Sequence, residues 1–120
     1  MNGERAIAFP SLGLKKYLSA LRYVTAVVGN SSSGIIEVPS FGIPTLNIGD
    51  RQKGRIAAES VINCNTNKDD IYKGICKILE RTKIHCSNPY EKESTAQSIV
   101  SVLKNTDYNL LLEKHFYDIK

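Results

Sequence analysis

Two short runs rich in β-branched residues, 24–28 and 45–48, stand on either side of a polar turn and a helical stretch. This alternation constrains the fold more than any other feature of the chain. The first run closes at Gly29, and a polar loop (30–33), a helical stretch (34–41) and the turn Gly42-Ile43-Pro44 lead into the second, which makes a β-α-β unit. The preceding segment has the same order. Residues 5–9 are short and apolar and end at Pro10, which predicts a strand that stops where proline forbids further ladder bonding. Ser11 is a candidate N-cap for a helix over 12–23 with an apolar face of Leu14, Tyr17, Leu18 and Leu21. After Gly49-Asp50 a basic segment runs into an edge-type strand at 61–64. Asn67 then caps a helix over 68–81 whose first turn carries Asp69 and Asp70, where carboxylates suit the helix dipole. Beyond Pro89, residues 94–104 and 108–117 show amphipathic helical periodicity. The predicted class is α/β: a single Rossmann-like parallel sheet of about four strands with helices on both faces. Four strands are few for a doubly wound sheet, which suggests a partial domain, a piece of something larger.

The chain has 120 residues and a formal net charge of +4, with its Lys and Arg scattered. No block of like charge marks a nucleic-acid arm or a membrane-surface helix, so neither partner is expected; small anionic molecules fit better. No apolar run approaches the roughly 20 residues that cross a bilayer, and the N-terminus lacks a signal-peptide profile. Cytoplasm is the expected compartment. Cys64, Cys76 and Cys86 are an odd number without a C-x-x-C pair and read as reduced thiols. His85 and His115 have no metal-type spacing, and no metal or cofactor is expected.

In open parallel sheets ligands settle at the carboxyl ends of strands, where a loop turns into the next helix. Gly29-Asn30-Ser31-Ser32-Ser33-Gly34 occupies such a place, with three hydroxyls, flexible glycines and free amides at a helix start. That combination suits phosphate. A plainer reading stands beside it, in which Ser33 caps the helix and its neighbours fill the loop. Glu37 falls outside the capping-box spacing, since the third residue after Ser33 is Ile36. One turn from Ser33 on the same face, it could accept hydrogen bonds from a ribose, or be a surface glutamate. Arg51-Gln52-Lys53-Gly54-Arg55 follows the next strand and rises at the same sheet edge, where arginine could fork onto a diphosphate or be solvated. There is no Walker loop, because Gly34 is followed by Ile35 and Ile36, and no G-x-G-x-x-G. A serine-hydrolase elbow is excluded too, because Ser33 stands where glycine should follow Ser31 by two.

From Gly29 the chain continues Gly29-Asn30-Ser31-Ser32-Ser33-Gly34-Ile35-Ile36-Glu37-Val38-Pro39-Ser40-Phe41-Gly42-Ile43-Pro44, then Asn47-Ile48-Gly49-Asp50-Arg51-Gln52-Lys53-Gly54-Arg55. In these segments it is similar to UDP-N-acetylglucosamine 2-epimerases, above all the hydrolysing branch that feeds sialic-acid-type sugar synthesis. The likeness runs from about residue 9 to the C-terminus. The non-hydrolysing branch resembles it less, with Ser-Gly-Gly where this chain has Ser31-Ser32-Ser33. The resemblance implies the second domain of a glycosyltransferase B type fold, with a UDP-sugar held in the cleft against an N-terminal domain absent from this sequence. It implies that Ser31, Ser32, Ser33 and Gly34 form the UDP site, with Ser31 and Ser32 on the diphosphate. It also puts Glu37 on the ribose, Arg51 on the phosphates, and residues 9–12 along the uracil. The implied reaction eliminates UDP to a glycal and adds water with inversion at the second carbon, giving N-acetylmannosamine or a related sugar. The acid and base would lie in the other domain, so no catalytic residue is expected here and the piece alone should be inactive. A stand-alone UDP-sugar binding module and a glycosyltransferase of the same architecture are the alternatives. An apolar face around Leu110, Leu111 and Phe116 predicts a homo-oligomer.

Overall fold

The computed structural model describes residues 5–81, 84 and 86–111. Among these residues three parallel strands form the sheet in the order β1-β2-β3: β1 Val27–Gly29, β2 Thr45–Ile48 and β3 Val61–Cys64. Val27, Thr45 and Val61 share one register line and Val28, Leu46 and Ile62 the next. β2 is central, with Thr45, Leu46 and Asn47 buried. Its polar members are satisfied: Thr45 Oγ1 donates to the Gly34 carbonyl at 2.9 Å, and Asn47 Nδ2 donates to Asn63 Oδ1 at 2.8 Å.

Helices cover both faces, as expected, and two glycines let them close in. α2 (Ser33–Ile36) lies so near β2 that a Cβ on Gly34 would stand 2.7 Å from Thr45 Cγ2. α3 (Lys68–Glu80) packs on β2 and β3, where a Cβ on Gly74 would stand 2.5 Å from Leu46 Cδ1. Thr45 and Leu46 are adjacent strand residues and face opposite sides of the sheet, so α2 and α3 lie on opposite faces. α1 (Gly13–Ala20) leads into a cluster of Leu21, Val38 and Ile43, against which Tyr17, Leu18, Val27 and Phe41 pack.

Several boundaries differ from the sequence reading. Residues 5–9 form no strand, and Ile7 and Phe9 are 80% and 56% exposed. A strand needs a ladder partner, and this segment pairs with none of the three described strands, which leaves the sheet one short of four. α1 ends at Ala20 and is not capped by Ser11, whose Oγ accepts from the Gly13 amide two residues on. Leu14 is 70% exposed and drops out of the apolar face, while Tyr17, Leu18 and Leu21 stay in it. β1 starts at Val27, not at residue 24. The helical stretch after Ser33 breaks at Glu37 into α2 and a 3₁₀ turn, Val38–Phe41, because Pro39 has no N–H to continue the ladder. The turn closes at Gly42, whose φ of 66° is a left-handed conformation natural to glycine. Asn67 caps α3 as predicted, its side chain accepting from the Asp70 amide at 2.9 Å.

α4 (Thr95–Asn105) buries no residue; Ile99, Val100, Val102 and Leu103 are exposed. A 3₁₀ turn, Tyr108–Leu111, follows. The rest of the predicted 108–117 helix, with Phe116 and His115, lies outside the described residues, as do His85 and the side chain of Leu110. No described helix is long and apolar enough to cross a membrane.

Candidate functional site

The loop at 30–34 leaves β1 at its carboxyl end, as the sequence predicts. Gly29 turns the chain there with a φ of 154°, outside the range that side-chain-bearing residues favour. Ser32 takes helical backbone angles and stands at the N-cap of α2, but its hydroxyl makes no capping bond. Its carbonyl accepts from the amides of Ile35 and Ile36 at 3.0 and 2.9 Å. Ser31 is exposed; its Oγ accepts from the Ser33 amide at 3.4 Å and its carbonyl from the Gly34 amide at 3.2 Å. Ser33 is not a cap either. Its hydroxyl lies 2.7 Å from the Tyr17 phenol oxygen, so the plain reading of Ser33 as a helix cap is not what the fold uses.

Side chains from three other elements fix this loop. Tyr17, midway along α1, holds Ser33, and Thr45 on β2 donates to the Gly34 carbonyl. Gln52, buried beyond β2, donates from Nε2 to the Asn30 carbonyl at 2.8 Å. That last bond ties the basic segment to the serine loop, so the two candidate clusters meet at one sheet edge. Arg51, beside Gln52, is exposed. Glu37 is half-buried at the end of α2, and its Oε2 is buried without a hydrogen-bond partner among the described residues. An unpaired buried carboxylate oxygen is costly, and a ligand hydroxyl is the kind of donor that would satisfy it.

A cavity of about 460 Å³ opens over the carboxyl ends of β2 and β3, between the basic segment and α3. Lys53, Arg55, Lys73 and Lys77 line it, set against Asp50 and Asp70, so the wall is cationic on balance. None of Ser31, Ser32, Ser33, Gly34, Glu37 or Arg51 lines this cavity, which neighbours the serine loop through Gln52. In its wall, the side chains of Asn65 and Asn67 donate to Asp70 and hold its carboxyl below the usual range. Burial, and then the charge of Asp70, push the Cys64 thiol up.

Tyr17, Thr45 and Gln52 were not singled out by sequence. By spacing Tyr17 belongs to the apolar face of its helix, and the one signal of Gln52's role is its place beside Arg51.

Sheet, crossover and loop define a Rossmann-like α/β protein of the kind that takes ligands at the carboxyl edge of its strands. Comparison with known proteins narrows this. The model of the UDP-N-acetylglucosamine 2-epimerase family matches residues 1–104, and the chain belongs to that family. It is 42% identical over 120 residues to the polysialic acid biosynthesis protein P7 of Escherichia coli, covering 91% of this chain and 29% of that protein. It is 37% identical to the hydrolysing GDP/UDP-N,N'-diacetylbacillosamine 2-epimerase of Campylobacter jejuni (98% and 32%). It is 28% identical to a UDP-N-acetylglucosamine 2-epimerase of Neisseria meningitidis (97% and 32%). The chain thus spans about a third of the length of these curated relatives. The glycosyltransferase B arrangement expected from the sequence is consistent with this family.

Proposed function

We propose that this chain is the UDP-holding C-terminal domain of a cytoplasmic hydrolysing UDP-N-acetylglucosamine 2-epimerase, which converts UDP-N-acetylglucosamine and water into N-acetylmannosamine and UDP. One observation carries the reading: the 30–34 loop is held rigid from three sides at the mouth of the sheet. The amides of Ser31 and Ser32 have no acceptor among the described residues. Fixed amides and hydroxyls facing a leaving diphosphate stabilise the charge that grows on it as the glycosidic C–O bond breaks, and they need no reorganisation to do so. Ser31 and Ser32 contact the diphosphate, and Arg51 reaches it from the neighbouring loop. Glu37 accepts from the ribose hydroxyls, which fills its orphaned oxygen, and residues 9–12 flank the uracil.

The proton-transfer groups belong to a second domain, in keeping with a chain that spans about a third of its relatives' length. This domain alone turns nothing over. The exposed apolar side chains of α4, with Leu111, form a face for that domain or for a second copy in a homo-oligomer.

The test is sugar analysis after incubating the full-length protein with UDP-N-acetylglucosamine. Free N-acetylmannosamine and UDP are expected, and Ser32→Ala should cost about 1–3 kcal/mol in transition-state stabilisation for a lost charge-assisted hydrogen bond. Transfer of the sugar to an acceptor, or a Ser32→Ala enzyme as fast as the parent, would refute it.

A further inference from the structure

The Tyr17–Ser33 bond adds a component to this site. Tyr17 is anchored by its ring against the Leu21, Val38 and Ile43 cluster, so its hydroxyl is held by the core. Its oxygen lies 2.7 Å from Ser33 Oγ, and either oxygen can be the donor in the unliganded loop. An anion in the loop removes that ambiguity. A phenol is a stronger acid than an aliphatic alcohol and therefore the better donor, and a serine hydroxyl has one proton and two lone pairs. With Tyr17 donating, Ser33 accepts through one lone pair and keeps its proton for the loop side. Chained hydroxyls polarise one another, which strengthens the outer bond to an anion.

Resting on the phosphate-loop reading above, we propose that Tyr17 is a positioning residue for the diphosphate: it donates to Ser33 Oγ and so directs the Ser33 proton onto a phosphate oxygen. Ser33 is then the inner link of a two-hydroxyl relay, unlike Ser31 and Ser32, which have no side-chain hydroxyl behind them among the described residues. The phenol never touches the nucleotide. It acts only through Ser33, so its effect follows the phosphates and is absent from the nucleoside.

The experiment measures UDP and uridine dissociation constants by NMR titration of the full-length protein, for the parent, Tyr17→Phe, Ser33→Ala and the double variant, each with a thermal melt. Phenylalanine keeps the ring that packs the core, and Ser33→Ala breaks the same bond from the other end should Tyr17→Phe fold poorly. Tyr17→Phe should weaken UDP about three- to tenfold, the span of a neutral hydrogen bond, and leave uridine unchanged. The double variant should bind UDP no more weakly than Ser33→Ala alone. Parent-like UDP affinity in Tyr17→Phe, parallel losses for UDP and uridine, or losses that add would overturn the proposal. Ser32→Ala separates the two levels of failure: if it leaves UDP affinity intact, the phosphate-loop reading falls and this relay with it, whereas a loss there beside an unaffected Tyr17→Phe removes the relay alone.

Discussion

Gly34→Ala puts the close approach of α2 to β2 under direct test. The added methyl would stand 2.7 Å from Thr45 Cγ2, whereas carbon pairs settle at about 3.5–4.0 Å, so something must yield by about an ångström. Thr45 cannot simply turn away. It is 2% exposed and β-branched, and its Oγ1 donates to the carbonyl of residue 34 itself, so rotation exchanges a clash for a lost buried hydrogen bond. A clash this close at a hydrogen-bonded, buried partner falls at the upper end of the about 1–3 kcal/mol that overpacking costs, and alanine's better helix propensity returns at most about 1, leaving a net loss of about 2 kcal/mol. Urea unfolding followed by circular dichroism reads this as a lower midpoint at constant slope. Thr45→Ser removes the offending methyl and keeps the hydroxyl, so the pair should be more stable than Gly34→Ala alone, a coupling that a double-mutant cycle isolates. An alanine variant as stable as the parent, or one that Thr45→Ser fails to rescue, would refute the packing argument.

Other perturbations probe the rest of the site. Glu37→Gln replaces one of two acceptor oxygens with a donor, and calorimetric titration with UDP should show about tenfold weaker binding, in line with a lost hydrogen bond to a charged group. Gln52→Ala leaves the Asn30 carbonyl without its buried partner and should lower stability by about 1–3 kcal/mol in chemical denaturation. The carboxyl of Asp70 is held below its unfolded value, so its contribution is present above the unfolded pKa and fades as pH falls through the folded one. Unfolding midpoints measured from pH 6 down to pH 2 should therefore fall less steeply in Asp70→Asn than in the parent. Because burial and then Asp70 push the Cys64 thiol up, less of it is thiolate at pH 8, so alkylation should be slower at Cys64 than at a free cysteine and faster once Asp70 is Asn.

The local parts of this fold were legible in the sequence. The strand at 45–48 and the Asn67 cap depend on pattern and on a side chain bonding three residues away, and both lie where the pattern puts them. The segment at 5–9 shows the limit: its composition suits a strand, but a strand exists only with a ladder partner, and pattern does not supply one. Likewise Pro39 marks a break that the apolar spacing of 34–41 hides. At the site, hydroxyls after a strand and before a helix announced the loop. Which hydroxyl faces inward did not show, because the contact that decides it joins residues sixteen apart, Tyr17 and Ser33. Gln52 was hidden for the same reason, its partner lying twenty-two residues away.

Whether the serine loop grips a uridine diphosphate is best settled by a crystal structure of the full-length protein soaked with UDP. The pyrophosphate should lie against the Ser31 and Ser32 amides, with Arg51 on its flank and a ribose hydroxyl on Glu37. Nucleotide seated in the cavity over β2 and β3, with the 30–34 loop empty, would contradict it.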